Sequence, residues 1–285
     1  MAGMDRATPS RRSRASERTA ASLHRDPGHA YVMRWMEALV ERSGSAPSLP
    51  QRAWAPEGEH APDEQAIQPA PGAAGWAIRG VNFLVALVAL VALFPVLVLV
   101  ALAVRLTSRG PVLYLQERVG LDRRELGGAT QNHRRGQDLG GRPFTIYKFR
   151  TMRHHAERES GAVWAQQHDP RVTPVGRILR QYRLDELPQL VNVLRGEMNI
   201  VGPRPERPTI FAELRTHIAE YPLRQRAKPG ITGLAQINHP YDRSLEDVRT
   251  KVSYDLEYIR RQSVREDLRI MLKTIPVILW RRGGW

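Results

Sequence analysis

From Val81 to Val104 the chain reads VNFLVALVALVALFPVLVLVALAV, without a single charged side chain. A helix of about 24 such residues reaches roughly 36 Å, long enough to cross a hydrocarbon core. The plain expectation is a transmembrane anchor, but two features point to a hairpin that enters the bilayer and returns. Pro95 stands in mid-run, where it removes a backbone hydrogen bond and can kink the helix. Arginine also flanks both ends, with Arg79 before the run and Arg105 and Arg109 after it. The excess of cytoplasmic cations that orients a spanning helix therefore has no asymmetry here, which suits two ends on one side.

The remainder sorts by composition and period. Residues 1–75 are rich in Ala, Pro, Ser and Arg with few apolar positions, a composition that predicts a mostly disordered tail. Within it Val32, Trp35, Met36 and Leu39 form one short helical stripe. The amino end lacks the early apolar core of a signal peptide. PVLYLQERVG and RPFTIYKFRTM predict two paired strands near 111–118 and 143–151, joined by a polar, glycine-rich insertion at 122–142. Thr173 and Pro174 form a cap and first turn for a helix through Arg180. Further helices are expected at 209–221 and along the stripe Leu245, Val248, Val252, Leu256 and Ile259. Gly230 and Gly233 suit a close backbone approach to a ligand, and the terminal VREDLRIMLKTIPVILWRRGGW suits a membrane interface. His154, His155 and Glu157 are a weak metal signal.

A formal charge of +14 calls for an anionic partner, which by charge alone could be nucleic acid, a nucleotide sugar or lipid head groups. With no cysteine, the chain has no thiolate nucleophile or zinc-thiolate site. Chemistry must come from oxygen and nitrogen side chains.

The stretch RLDELPQLVNVLRGEMNIVGPRP, Arg183 to Pro205, concentrates those groups. Leu187, Leu190, Val191 and Leu194 predict one apolar helical face over roughly 186–195, with Gly196 as its C-terminal cap. Asp185 then falls at the helix start, where unpaired N–H groups favour phosphate, and where an aspartate can equally be no more than an N-cap. Adjacent carboxylates on a helix diverge by about 100°, so one can face a reacting phosphorus while the other holds a cation. Gly202, Pro203, Arg204 and Pro205 follow as a stiff turn that fixes a guanidinium.

LDELPQLVNVLRGEMNIVGPRP resembles the bacterial sugar transferases, the monotopic phosphoglycosyl transferases that move a sugar phosphate from a nucleotide sugar to a polyprenyl phosphate. The resemblance extends to QERVGL (116–121), YKFRTM (147–152) and KPGITGLAQI (228–237), and covers Val81 to the C-terminus apart from 122–142. Where the family often has Ser before the membrane proline, this chain has Phe94. The resemblance implies that Asp185 is a nucleophile forming a phosphosugar-aspartyl intermediate and that Glu186 helps to hold Mg²⁺. Lys148, Arg150, Arg180, Arg204 and Lys228, all in or beside matched stretches, are the candidates for binding substrate phosphates.

The expected fold is α+β and mainly helical. A membrane-inserted helix broken at Pro95 (76–106) would precede a catalytic domain (107–285) built on a small β-hairpin and amphipathic interfacial helices. The expected partners are a UDP-sugar, polyprenyl phosphate and membrane lipids, with no nucleic acid; a homodimer is compatible with the sequence. The expected location is the bacterial inner membrane, catalytic domain in the cytoplasm. Two rivals differ in kind: a basic membrane-anchored binding protein without chemistry, and a multi-span transferase without a covalent intermediate. The single apolar run argues against the second.

Overall fold

A computed structural model of the protein describes residues 67–70, 72–122, 140–154, 156, 169–239 and 244–279. Most of these are helical. The chain opens on α1 (Gly72–Ala92) and α2 (Phe94–Thr107), interrupted at Leu93. Pro95 forces that interruption, because inside a continuous helix its ring would meet the carbonyl of Val91, whereas the first turn of α2 needs no N–H from it. The break is small: Leu93 N–H still donates to Ala89 O, and Leu97 N–H donates to Leu93 O, both at 2.9 Å. α1 begins at Gly72, inside the segment that composition alone assigns to the tail. The stripe at 32–39, most of the insertion, and His155 and Glu157 lie outside the described residues.

β1 (Leu113–Val119) and β2 (Pro143–Phe149) pair antiparallel, Leu113 opposite Phe149 and Val119 opposite Pro143, as their β-branched and aromatic content predicts. α3 (Pro174–Gln181) starts as expected, the Thr173 hydroxyl accepting from Gly176 N–H at 2.9 Å. A single 3₁₀ turn (Leu184–Glu186) leads into α4 (Gln189–Arg195). β3 (Asn199–Val201) pairs parallel with β4 (Gly230–Thr232), the two strands flanking α5 (Pro208–His217) and a 3₁₀ segment (Tyr221–Arg226) in sequence. The chain closes with α6 (Leu234–Asn238), α7 (Leu245–Arg261) and α8 (Val264–Leu279). A capping box, Ser244 with Asp247, sets the start of α7.

Three apolar clusters hold these elements together. The largest joins β3, α5, α7 and α8 through Val201, Phe211, Tyr221, Leu256, Ile259 and Ile270. A second packs Ala86 of α1 on Ile146 of β2 and on Leu190, Val193 and Met198. The third packs Val100 and Val104 of α2 on Phe149 and Leu179. Both arms of the broken helix are thus seated on the same body, α1 beside α4 and α2 beside α3. Their other faces are bare: Leu84, Val88, Val91, Phe94, Leu99 and Leu102 are all exposed. Val91 on α1 is 69% exposed and Leu99 on α2 66%, values that an aqueous surface does not explain across two successive apolar helices. Leu268, Leu272 and Ile275 give α8 an exposed apolar stripe as well.

Candidate active site

α4 is placed by Asn192, a polar residue in the middle of an apolar helix. Its side-chain NH₂ donates to Thr145 O at 2.7 Å and to Glu197 Oε2 at 2.8 Å, and its Oδ1 accepts from Tyr147 N–H at 3.2 Å. Asn192 therefore ties α4 to the edge of β2. Leu190 and Val193 bury beside it, while Val191 is exposed, so the buried face is turned from the one that leucine spacing predicts. The buried amide's hydrogen bonds to β2 account for this rotation.

The start of α4 also differs from expectation. Pro188 is the N-cap and the helix begins at Gln189. Because Pro188 would collide with the Leu184 carbonyl in a longer helix, residues 184–186 close instead as a 3₁₀ turn, Glu186 N–H donating to Arg183 O and Leu187 N–H to Leu184 O. Asp185 is consequently no N-cap. Arg183, just before the turn, sits at φ 54°, a left-handed conformation that costs a non-glycine residue about 1–2 kcal/mol. What gathers anions here is side-chain charge.

Glu186 is buried, and its Oε1 accepts from Lys148 Nζ and from Arg204 Nη2, each at 2.8 Å. Arg183 Nη1 lies 3.5 Å from Oε2. Burial opposes the Glu186 charge, but Arg204, Lys148 and Arg183 overcome it and hold the carboxyl well below the usual range. Asp185 is the opposite case, making no side-chain hydrogen bond among the described residues. Burial and the neighbouring Glu186 charge push its carboxyl up to about 6, against the pull of Lys148, Arg180 and Arg204. One carboxylate is neutralised and fixed; the other is unpaired and poised.

The turn carrying Arg204 is held at four successive carbonyls, those of residues 203–206. Pro203 O accepts from Gly230 N–H at 2.9 Å and Arg204 O from Arg224 Nη2 at 3.2 Å. Pro205 O accepts from Arg118 Nη1 at 3.0 Å and Glu206 O from Val119 N–H at 2.9 Å. Arg224 is itself clamped by Asp255 at 2.6 Å, both buried, and stacks on Tyr221. A Cβ on Gly230 would stand 2.1 Å from Gly202 N, and one on Gly202 2.3 Å from Lys228 O. The glycines of KPGITG thus admit backbone to backbone, where a ligand contact is expected from sequence.

The predicted cations divide. Lys148 and Arg204 meet on Glu186, and Arg180, bonded through Nε to Thr151 Oγ1 at 2.9 Å, acts on Asp185. Arg150 does not join them: its Nη2 donates to Ser108 O and Oγ at 2.8 Å, tying the end of β2 to the end of α2. Lys228 opens the loop into β4 with its carbonyl against Gly202. Sequence reasoning passed over Arg118, Asn192, Arg224 and Asp255, the residues that hold the others. It also treated Arg79 as a flanking charge. Arg79 donates to Val193 O at 2.6 Å and to Leu194 O at 2.9 Å, capping the C-terminal end of α4 from α1.

The two-carboxylate set fits a Mg²⁺ ion of one kind only. Among the described residues both hydrogen bonds to Glu186 fall on Oε1, Oε2 faces Arg183 at 3.5 Å and Asp185 makes no side-chain hydrogen bond, while no group of three or more acidic or histidine side chains could cage an ion. Such a pair suits a cation that arrives with substrate phosphates.

The chain is similar to several curated proteins, three of which differ in how much of their own length it covers. A UDP-N-acetylgalactosamine-undecaprenyl-phosphate N-acetylgalactosaminephosphotransferase of Aeromonas hydrophila is 40% identical over 206 residues, 72% of this chain and 44% of that protein. A UDP-glucose:undecaprenyl-phosphate glucose-1-phosphate transferase of Caulobacter vibrioides is 43% identical over 198 residues, 68% of this chain and 67% of that protein. The exopolysaccharide production protein ExoY of Sinorhizobium fredii is 37% identical over 221 residues, 73% of this chain and 87% of that protein. The chain thus spans less than half of the first relative, about two thirds of the second and most of the third. The bacterial sugar transferase family as a whole matches residues 73–281, from the first turn of α1 past the end of α8 and through every side chain of the carboxylate pair and its cations, and the chain belongs to that family.

Proposed function

We propose that this protein transfers a sugar 1-phosphate from a UDP-sugar to polyprenyl phosphate, releasing UMP and starting the assembly of a glycan. The observation that carries the proposal is the contrast within the Asp185–Glu186 pair. A nucleophile must be unpaired and ionisable, and Asp185 is both. In the first step an Asp185 oxygen attacks the β-phosphorus, the bond from that phosphorus to the bridging oxygen breaks, and UMP leaves with the electron pair. In the second, a phosphate oxygen of the polyprenyl phosphate attacks the same phosphorus and the aspartyl oxygen departs, restoring Asp185. Two substrates of opposite solubility then share one site in turn.

The surrounding cations serve the charge that develops. Lys148 and Arg204 would meet the charge that gathers on the equatorial oxygens and the departing UMP, a role supported by Glu186 holding both at fixed positions. Arg180, acting on Asp185, favours the ionised nucleophile. Glu186, with Asp185 beside it, would help to hold Mg²⁺, which when bound would supply positive charge to the transferring group.

The same proposal gives the chain a membrane-entering topology with its catalytic body at the cytoplasmic face of the bacterial inner membrane. Arg79 and Asn82 of α1 and Val104 of α2 all dock on one body. A straight spanning helix would carry those two ends to opposite sides of a hydrocarbon core about 30 Å thick. The exposed apolar faces of α1, α2 and α8 supply the surface that meets lipid. The test is UMP release by membranes washed free of soluble enzymes. UMP and a lipid-linked sugar diphosphate should form together from a UDP-sugar with the wild-type chain and not with Asp185→Asn. Turnover without any lipid-linked product would contradict the proposed acceptor.

A further inference from the structure

The deepest contact between the membrane helix and the body is polar. Asn82, on α1 and wholly buried, accepts at Oδ1 from Ile200 N–H of β3 at 2.6 Å. Its NH₂ donates to Ile78 O at 2.8 Å and to Asp267 Oδ2 of α8 at 3.0 Å. Asp267, also wholly buried, has its other oxygen 2.8 Å from Tyr258 OH, which lies 3.1 Å from Val201 O. Ile200 and Val201 lead directly into the Gly202–Pro205 turn and so into Arg204.

Counting protons settles how this network is filled. Tyr258 has one hydroxyl proton and two oxygens to satisfy, Val201 O and Asp267 Oδ1. If Asp267 were ionised, one of those oxygens would face another lone pair. If Asp267 is protonated on Oδ1, it donates to Tyr258, Tyr258 donates to Val201 O, and Asn82 donates to Oδ2, so every close contact has a proton. Among the described residues no cation is a hydrogen-bond or ion-pair partner of Asp267, and burial pushes its carboxyl up.

We propose that Asn82 and a neutral Asp267 are a positioning couple through which the membrane-inserted helix sets the strand that aims Arg204 at Glu186. The couple rests on the reading of Asp185 and Glu186 as the reacting site. It makes the membrane helix part of the catalytic frame as well as an anchor.

The experiment compares Asp267→Asn, Asp267→Ala and Asn82→Ala as full chains in lipid nanodiscs, reading kcat, KM for the UDP-sugar and thermal unfolding. Asn can donate from its amide to Tyr258 and accept from Asn82, so Asp267→Asn should keep kcat within about threefold of wild type. Asp267→Ala and Asn82→Ala should lower kcat by about tenfold or more while KM changes by less than about threefold, because geometry and not substrate affinity is disturbed. An Asp267→Asn enzyme as impaired as Asp267→Ala would show that an ionised carboxylate is needed and overturn the proposal; wild-type kcat in Asn82→Ala would do the same. Should the alanine variants not fold, Asp267→Asn still decides. Asp185→Asn, run alongside, keeps the two readings apart: activity in that variant would remove the site assignment, while the unfolding of the Asp267 set would still judge the network.

Discussion

Asp185 and Glu186 are neighbours in sequence with opposite electrostatics, and the difference predicts how each responds to pH and substitution. With its carboxyl near 6, Asp185 is only about one tenth ionised at pH 5, so formation of the phosphosugar-enzyme should rise as pH increases through 6. Because this folded value lies above the ordinary aspartate value, ionising Asp185 withdraws stability as pH rises from about 4 through 6. Asp185→Asn should therefore abolish transfer yet unfold at a higher temperature than wild type at pH 8, with a smaller gain at pH 5. A lower unfolding temperature at pH 8 would show that the carboxylate is paired after all. For Glu186, excess EDTA should remove activity and Mg²⁺ restore it, while Glu186→Gln should raise the Mg²⁺ requirement and leave Lys148 and Arg204 without their shared counter-charge. Full activity under chelation would end the metal assignment. The pair itself is visible in DELP, and so are Lys148, Arg180 and Arg204, the cations that the fold brings beside it. The contrast between its members was not, because which carboxylate the cations choose depends on a 3₁₀ turn and on strand β2 lying beside it.

At the level of elements, the sequence announced what local chemistry controls. The Thr173–Pro174 start of α3, the break before Pro95, the Gly196 cap and the β1–β2 pairing all follow from one or two residues each. What it hid were long-range ties between polar side chains. Asn192 rotates α4 against β2, and Arg118 and Arg224 hold the turn at 203–206, yet nothing near them in sequence marks Asn192 and Arg224 as buried or Arg118 as half-buried. Arg224→Ala makes the point measurable. It leaves Asp255 buried without its partner, which costs about 3–5 kcal/mol, and frees the Arg204 carbonyl. Thermal unfolding should show that loss, and kcat should fall with it; an unchanged unfolding temperature would mean that the pair carries no load.

The whole molecule is one body with a broken helix along its flank, and we propose that its carboxylate pair serves two substrates in turn. The absence of cysteine makes its topology testable. Single cysteines at exposed Trp76 and at Arg109 should both resist an impermeant thiol reagent in intact cells and both react in inverted membranes. Labelling of one from outside would show a spanning helix. Trp76 is the better probe than Ile78, which faces the body and is 3% exposed. The apolar run announced membrane contact, but only the docking of both arms shows how the body could accompany it. The most direct measurement of the central claim withholds the second substrate. With UDP-sugar, Mg²⁺ and no polyprenyl phosphate, the purified chain should release UMP in a burst approaching one per active site and gain the mass of one sugar phosphate on the peptide containing Asp185, and Asp185→Asn should show neither. UMP release only when polyprenyl phosphate is present, with no adduct on that peptide, would contradict the account.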